Sequence, residues 1–190
     1  MIHEQDILDR IRESARVKIA LESQAKLLIM IAEQWIACLR GGGKILFLGN
    51  GGSAADAQHM AAELSGRFYR ERPGLAAIAL STNTSAITAI GNDYGYDAVF
   101  ARQLEGLARP GDVVVGISTS GKSESVLAAL RKARELGLHS TGMTGRSGGA
   151  MPSVSTLCLH IDSEETPRIQ EGHILAGHII CELVEREIFP

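Results

Sequence analysis

Cysteine is scarce in this chain, and the little there is excludes two common architectures. Cys38, Cys158 and Cys181 are odd in number and far apart, so they fit neither a disulfide framework nor the paired spacing of a zinc knuckle. They read as buried thiols of a reducing compartment. Positive charge is not in excess either: a formal net charge of −3 and an isoelectric point near 6.1 leave no basic face for nucleic acid. No apolar run approaches the roughly 20 residues needed to cross a bilayer. The opening MIHEQDILDR is too polar and acidic for a signal peptide. These absences point to a cytoplasmic location, with neither membrane nor nucleic acid as partner. What is present is ordinary for a globular chain: 190 residues, 45% hydrophobic and 22% charged, enough for one domain with a real core.

Glycine and proline are both missing from Ile2 to Arg40. Over that stretch Ile7, Ile11, Ala15, Ile19, Leu27, Leu28, Ile31 and Trp35 recur at helical spacing. This reads as one long helix, or as two with a bend near Glu22–Ser23, where Ser23 would cap the second. Gly41-Gly42-Gly43 stops it, and short apolar runs then alternate with helical patterns. The candidate strands are Lys44–Leu48, Ala76–Leu80, Asp112–Ile117, Ser140–Met143 and Thr156–Ile161. Helices are expected from near Ser53, Thr84, Asp97 and Ser123. A last one should run from about Pro167 to Glu187, with Thr166 as its N-cap. KILFLG and DVVVGIS are continuous apolar runs, as strands buried on both faces should be. The expectation is one α/β domain over 1–190, with a doubly wound, mostly parallel five-stranded sheet over 41–190 and a helical arm over 1–40.

Two strand–loop–helix junctions stand out. One is Phe47-Leu48-Gly49-Asn50-Gly51-Gly52-Ser53, leading into AADAQHMAAEL. The other is Gly116-Ile117-Ser118-Thr119-Ser120-Gly121-Lys122-Ser123, leading into ESVLAALRKA. Ligands of open α/β sheets bind beyond the carboxyl ends of the strands, where such loops lie. The hydroxyls of Ser118, Thr119, Ser120 and Ser123, with the free amides of the following helix start, make a neutral, donor-rich cradle for a phosphate. Neither loop is a P-loop or a GxGxxG fingerprint, so nucleotide binding is not implied.

The helix after the first loop carries His59 and Glu63. At i, i+4 they share a face and can either ligate one metal or act as a proton-transfer pair. The last helix carries Gln170, Glu171, His173 and His178 among residues that are apolar almost all round. Such a helix is expected to be buried, and its polar groups then require partners. Gln170 and His178 are eight residues apart, about 12 Å along a helix axis. If both serve one small site, one of them is expected from a neighbouring subunit.

On GNGGSAADAQHMAAEL, RPGLAAIAL, TAIGNDYGYDAVFARQ, GDVVVGISTSGKS and TPRIQEGHILAGHIICELVE, five blocks in order, the chain resembles the phosphoheptose isomerases of the sugar isomerase (SIS) superfamily. The resemblance covers nearly everything beyond the helical arm. It implies the flavodoxin-like SIS fold and a homotetramer with active sites at subunit interfaces. It also implies an aldose–ketose isomerase that converts D-sedoheptulose 7-phosphate to D-glycero-D-manno-heptose 7-phosphate through an enediol, the first step towards a nucleotide-activated heptose for a surface glycan such as lipopolysaccharide. One Zn²⁺ per site would be held by His59, Glu63, Gln170 and His178, with Glu63 and His178 also the catalytic acid/base pair. Asn50, Gly51, Gly52, Glu63, Asn92, Asp93, Ser118, Thr119, Ser120, Ser123 and Gln170 would bind substrate, the serine loop on its phosphate. Arg67 would be a further contact and Asp162 a weaker one. Lys122 stands where the family's loop most often has asparagine. A Glu63 held tightly by zinc is a weaker base, so its two implied roles pull against each other.

Two rivals share parts of this pattern. A bacterial tetramer of the same fold that binds the replication initiator without catalysis has similar NG-SAA-AQH and RIQE-H blocks, but it needs neither metal nor acid/base pair. Other sugar-phosphate SIS enzymes, such as an arabinose 5-phosphate isomerase or an amino-sugar phosphate etherase, share the phosphate loop. The paired AQHMAAEL and RIQEGHILAGH blocks point away from those.

Overall fold

The computed structural model describes residues 2–190. In chain order it runs α1 (Glu4–Ala20), one 3₁₀ turn (Leu21–Gln24), α2 (Ala25–Arg40), β1 (Ile45–Gly49), α3 (Gly52–Ser65), β2 (Ala77–Ala79) and α4 (Thr84–Tyr94). A second 3₁₀ turn (Tyr96–Ala98) leads into α5 (Val99–Leu107), β3 (Val113–Ile117), α6 (Glu124–Glu135), β4 (His139–Gly145), α7 (Met151–Val154), β5 (Leu157–Ile161) and α8 (Thr166–Ile188). The sheet is parallel throughout, in the order β2-β1-β3-β4-β5.

Every residue of β1 and β3 is buried, which is why these strands read as unbroken apolar runs. Alternation along β1 divides the core in two. Ile45 and Phe47 face a layer containing Trp35, Met60 and Ile180, while Leu46 and Leu48 face Phe100, Leu104 and Leu130. Helices α2, α3 and α8 cover the first face; α5 and α6 cover the second. Of the N-terminal stretch, α2 buries Leu28, Ile31, Ala32, Trp35 and Cys38, whereas α1 buries Val17 alone. The segment is therefore half core, in α2, and half a surface helix, α1, held against α8 by Ser14–Glu171 and, at the residue before α8, by Arg10–Glu165. α4 has no buried residue.

Several expected boundaries shift for identifiable reasons. The bend near Glu22–Ser23 is the 3₁₀ turn, and Ser23 does not cap α2: its hydroxyl donates back to the Ala20 carbonyl. Thr166 is the first helical residue of α8 rather than its cap. Glu165 occupies the preceding position, with its amide donating to Ser163 Oγ. The helix expected near Asp97 starts at Val99, because the 3₁₀ turn takes up Tyr96–Ala98.

One buried ion pair ties the end of α3 to α8. Arg72 Nε lies 2.9 Å from Glu185 Oε1, and both side chains are almost wholly buried. The Glu185 carboxylate also accepts the amides of Phe68, Tyr69 and Arg70. The Arg72 guanidinium donates to the carbonyls of Glu63, Leu64, Gly66 and Pro73. It thereby serves the carbonyls that a helix end leaves without partners. Burial alone would raise the Glu185 carboxyl, but the three amides and Arg72 outweigh it and bring the carboxyl from an ordinary 4.5 down to about 2.

A depressed carboxyl pKa contributes stability above the unfolded value, and that stability is lost as pH falls through the folded one. Glu185→Gln should therefore destabilise the protein at pH 7 by about 3–5 kcal/mol, because it leaves Arg72 buried and uncompensated. In urea titrations the gap between wild type and variant should narrow as pH is lowered from 4.5 towards 2. A constant gap would show that the carboxylate carries no such linkage.

Candidate active site

The strand order reverses direction between β1 and β3, which places their following loops side by side at the carboxyl edge. After β1 the chain turns at Gly51, whose φ of 55° and ψ of −124° favour glycine, and enters α3 directly. The two loops are joined by side chains. Asn50 Nδ2 donates to Ser123 Oγ and Ser125 Oγ, each at 2.9 Å, and Asn50 Oδ1 accepts from the Tyr96 hydroxyl at 2.8 Å. The serine loop is also bound to the end of β4 and the loop after it. The Ser118 amide donates to the Met143 carbonyl, the Gly145 amide to the Thr119 carbonyl and the Ala150 amide to the Gly121 carbonyl. Ser118 is buried, whereas Ser120 and Lys122 are exposed. Beside them lies a recess of about 230 Å³ lined by Thr119, Ser120, Lys122, Arg146, Ser163 and Glu164, among others.

Along α3 and α8 a second polar group gathers. His59 Nε2 lies 3.1 Å from Glu63 Oε1 and 2.9 Å from His178 Nε2, and one ligand atom from each of the three lies within 4.8 Å of the others. The helices meet residue for residue in the same direction. The Gln170 amide lies against Gly52, and Gly177 lies over Met60. Two imidazole nitrogens and one carboxylate oxygen are a donor set that suits a catalytic divalent zinc with an open position. Ligands about 2.0–2.2 Å from a tetrahedral ion sit roughly 3.3 Å apart, close to the separations of His59 from Glu63 and His178. The residues present thus fit such a cation.

Gln170 is near the base of this group rather than in it. With Gly52 two turns before His59 on α3, the Gln170 amide is displaced along the helices from the His59–Glu63–His178 cluster. Arg67, in the turn after α3, is exposed and faces Glu71 at 4.0 Å. Asn92 and Asp93 end α4 and bond each other at 2.8 Å. Asp162 is held by Arg16 and Arg146, which keep its carboxyl below the usual range. His173 and Glu171 have structural partners. His173 is fully buried with Nε2 3.2 Å from the Thr144 carbonyl, and burial lowers its pKa to about 4. Glu171 accepts from Ser14 Oγ and anchors α1.

Three residues here escape a reading of the sequence. Tyr96 and Ser125 complete the network around Asn50. Asp56, one turn before His59, keeps Oδ2 buried without a hydrogen-bond partner, and burial raises its carboxyl to about 6 against the opposing pull of His59. The spacing of Asp56 from His59 in AADAQH was the one available signal.

Gly177 is a close approach of the two helices: a Cβ there would sit 2.5 Å from Met60 Sδ and 2.9 Å from Cγ. Gly177→Ala should cost about 1–3 kcal/mol through overpacking. By displacing His178 from His59 it should also lower the affinity of the cluster for added Zn²⁺ about tenfold or more. Thermal unfolding and chelator competition would measure both. Lost stability with undiminished zinc affinity would mean that this contact does not set the cluster.

Comparison with known proteins identifies the family of the chain. The SIS domain model matches residues 11–145. The phosphoheptose isomerase of Roseiflexus sp. is 56% identical over 184 residues, covering 96% of this chain and 93% of that protein. That of Geobacter sulfurreducens is 55% identical, covering 97% and 98% respectively. Among solved structures, a phosphoheptose isomerase from Neisseria gonorrhoeae superposes with a TM-score of 0.91 at 44% identity, covering 96% of this chain and 98% of that one. One from Francisella tularensis reaches 0.94 at 35% identity, covering 98% and 100%. With its parallel five-stranded sheet, its paired loops at the strand reversal and this degree of identity, the chain belongs to the phosphoheptose isomerase family of SIS-domain proteins.

Proposed function

We propose that this protein is an aldose–ketose isomerase that converts D-sedoheptulose 7-phosphate to D-glycero-D-manno-heptose 7-phosphate. The observation that carries this reading is the meeting of His59, Glu63 and His178 two turns along α3 from the loop that faces Ser123. Seven residues of helix span about 10.5 Å. A seven-carbon chain with a terminal phosphate, at about 1.5 Å per bond in zigzag, spans roughly 10 Å. A phosphate seated on Ser118, Thr119, Ser120 and Ser123 would thus leave C1 and C2 near the cluster.

The reaction moves one proton from C1 to C2 and one from the C1 hydroxyl to the C2 oxygen. The Glu63 carboxylate, 22% exposed, is the group suited to removing the carbon-bound proton and returning it to the neighbouring carbon. The His178 imidazole is suited to the transfer between oxygens. A zinc ion held by His59, Glu63 and His178, with Gln170 of a neighbouring subunit as the further ligand, would supply Lewis-acid polarisation of the carbonyl. Asn50, Gly51, Gly52, Arg67, Asn92 and Asp93 would complete the sugar-binding wall. A non-catalytic scaffold needs no such cluster, and relatives at half identity or more carry the isomerase name.

A homotetramer with sites at subunit interfaces belongs to the same proposal. Its support is the apolar surface of α1 and α2, where Ile7, Ile11, Ile19, Ile29 and Met30 are each at least half exposed. A cytoplasmic location accords with the absence, among the described residues, of a helix long and apolar enough to cross a membrane.

The test is turnover of sedoheptulose 7-phosphate by the purified protein, before and after removing metal and restoring zinc. Conversion that is lost and then recovered is the expected result; turnover untouched by stripping would remove the metal from the proposal. Glu63→Gln should lower kcat by about 10²-fold or more with the fold intact. Ser120→Ala should act mainly on KM, raising it about tenfold or more, as loss of one charge-assisted hydrogen bond would.

A further inference from the structure

Tyr96 is half exposed, lies in no core, and makes its one side-chain hydrogen bond to Asn50 Oδ1. That bond has consequences for a residue it does not touch. Receiving the phenol hydrogen at Oδ1 turns the Asn50 amide nitrogen towards the start of α6, where its two hydrogens go to Ser123 Oγ and Ser125 Oγ. In the opposite orientation one amide hydrogen would meet the phenol oxygen and the other would face no acceptor. The observed orientation is therefore the better satisfied of the two.

The two serines are 3.3 Å apart, and either could donate to the other. Their burial decides the direction. Ser125 is 2% exposed, and its side-chain acceptor is Ser123 Oγ. Were the bond reversed, the Ser125 hydrogen would be buried without a partner, which burial penalises. Ser123 Oγ thus accepts from both Asn50 and Ser125, and its own hydrogen is directed out of the network into the loop. A hydroxyl is by nature both donor and acceptor, and an anion can use only the donor.

We propose that Tyr96 is a positioning residue that commits Ser123 to donating a hydrogen bond to the substrate's phosphate. This rests on the reading of the Ser118–Ser123 loop as the phosphate seat. The chain of orientation runs from the Tyr96 hydroxyl to Asn50 Oδ1, from Asn50 Nδ2 to Ser123 Oγ, and from the Ser123 hydroxyl to the anion. Without the phenol hydrogen the amide is free to turn over. Both serines can then donate to its oxygen, and the Ser123 hydrogen is spent inside the protein.

The experiment compares full-length wild type, Tyr96→Phe and Ser120→Ala. The probes are inorganic phosphate, titrated calorimetrically, and sedoheptulose 7-phosphate turnover. Tyr96→Phe should raise the phosphate Kd and the KM together by about five- to tenfold, the worth of one hydrogen bond. It should keep kcat within about twofold and leave Tm unchanged. A phosphate Kd unchanged in Tyr96→Phe but raised in Ser120→Ala overturns the role of Tyr96 and leaves the loop as the phosphate seat. A wild type that does not bind phosphate overturns both. A fall in kcat with phosphate affinity intact overturns the positioning role, since Tyr96 would then act on the chemical step.

Discussion

The constraint on which the cluster depends is the register of α3 against α8. These helices descend from the same edge of the sheet in the same direction, so residues that match along one axis match along the other. The match is fixed at three heights. Gln170 rests on Gly52, Gly177 rests on Met60, and Glu185 grips the turn that follows α3. His59 and His178 fall between the first and last of these. A slide of one residue, about 1.5 Å of rise and 100° of rotation, would separate the imidazoles and leave a buried arginine facing no carboxylate. The second error is the costlier, and so the ion pair protects an arrangement in which it takes no chemical part.

The two halves of the site are built on different principles. The cluster along α3 and α8 stands on helices whose inner faces belong to the core, and its geometry is enforced by packing. The loop half is seated against backbone rather than on side chains of the core: a Cβ on Gly121 would overlap the Gly148 carbonyl oxygen. It is held by backbone bonds to the end of β4 and the loop after it, and by the side-chain network from Tyr96 through Asn50 to the serines. This division would suit the two proposed tasks. Proton transfer tolerates little displacement of donor and acceptor. A phosphate needs donors that point correctly but accepts many approach angles.

How much of this could be read in advance follows from the distance over which each residue is determined. KILFLG and DVVVGIS were legible as central strands because burial on both faces leaves no polar position to interrupt them. The edge strand β2 is shorter than its apolar run, with Ile78 39% exposed, since no strand covers its outer side. Helix starts were placed within a residue or two, and Ser23 was misjudged because a hydroxyl can bond backward as readily as forward. His59 and Glu63 were legible through their spacing on one helix. Their company with His178, 119 residues away, was expected on the strength of the family resemblance rather than from spacing. Glu185 drew no notice among the acidic residues of a C-terminal helix. Its meaning lies in amides 115 to 117 residues distant. Tyr96 was likewise hidden, 46 residues from Asn50.

α4, which buries no residue of its own, has a consequence for the order in which this molecule comes apart. Segments with only partly buried contacts, such as those of Ile87 and Ile90 in α4 with the second core, open locally at less free-energy cost, while core helices exchange their amides only with global unfolding. The proposed wall carrying Asn92 and Asp93 can therefore fluctuate on its own, whereas α3 and α8 lose their protection only together. Under the proposed function, breathing on one side of the cleft would admit and release a sugar without loosening the side where protons would move.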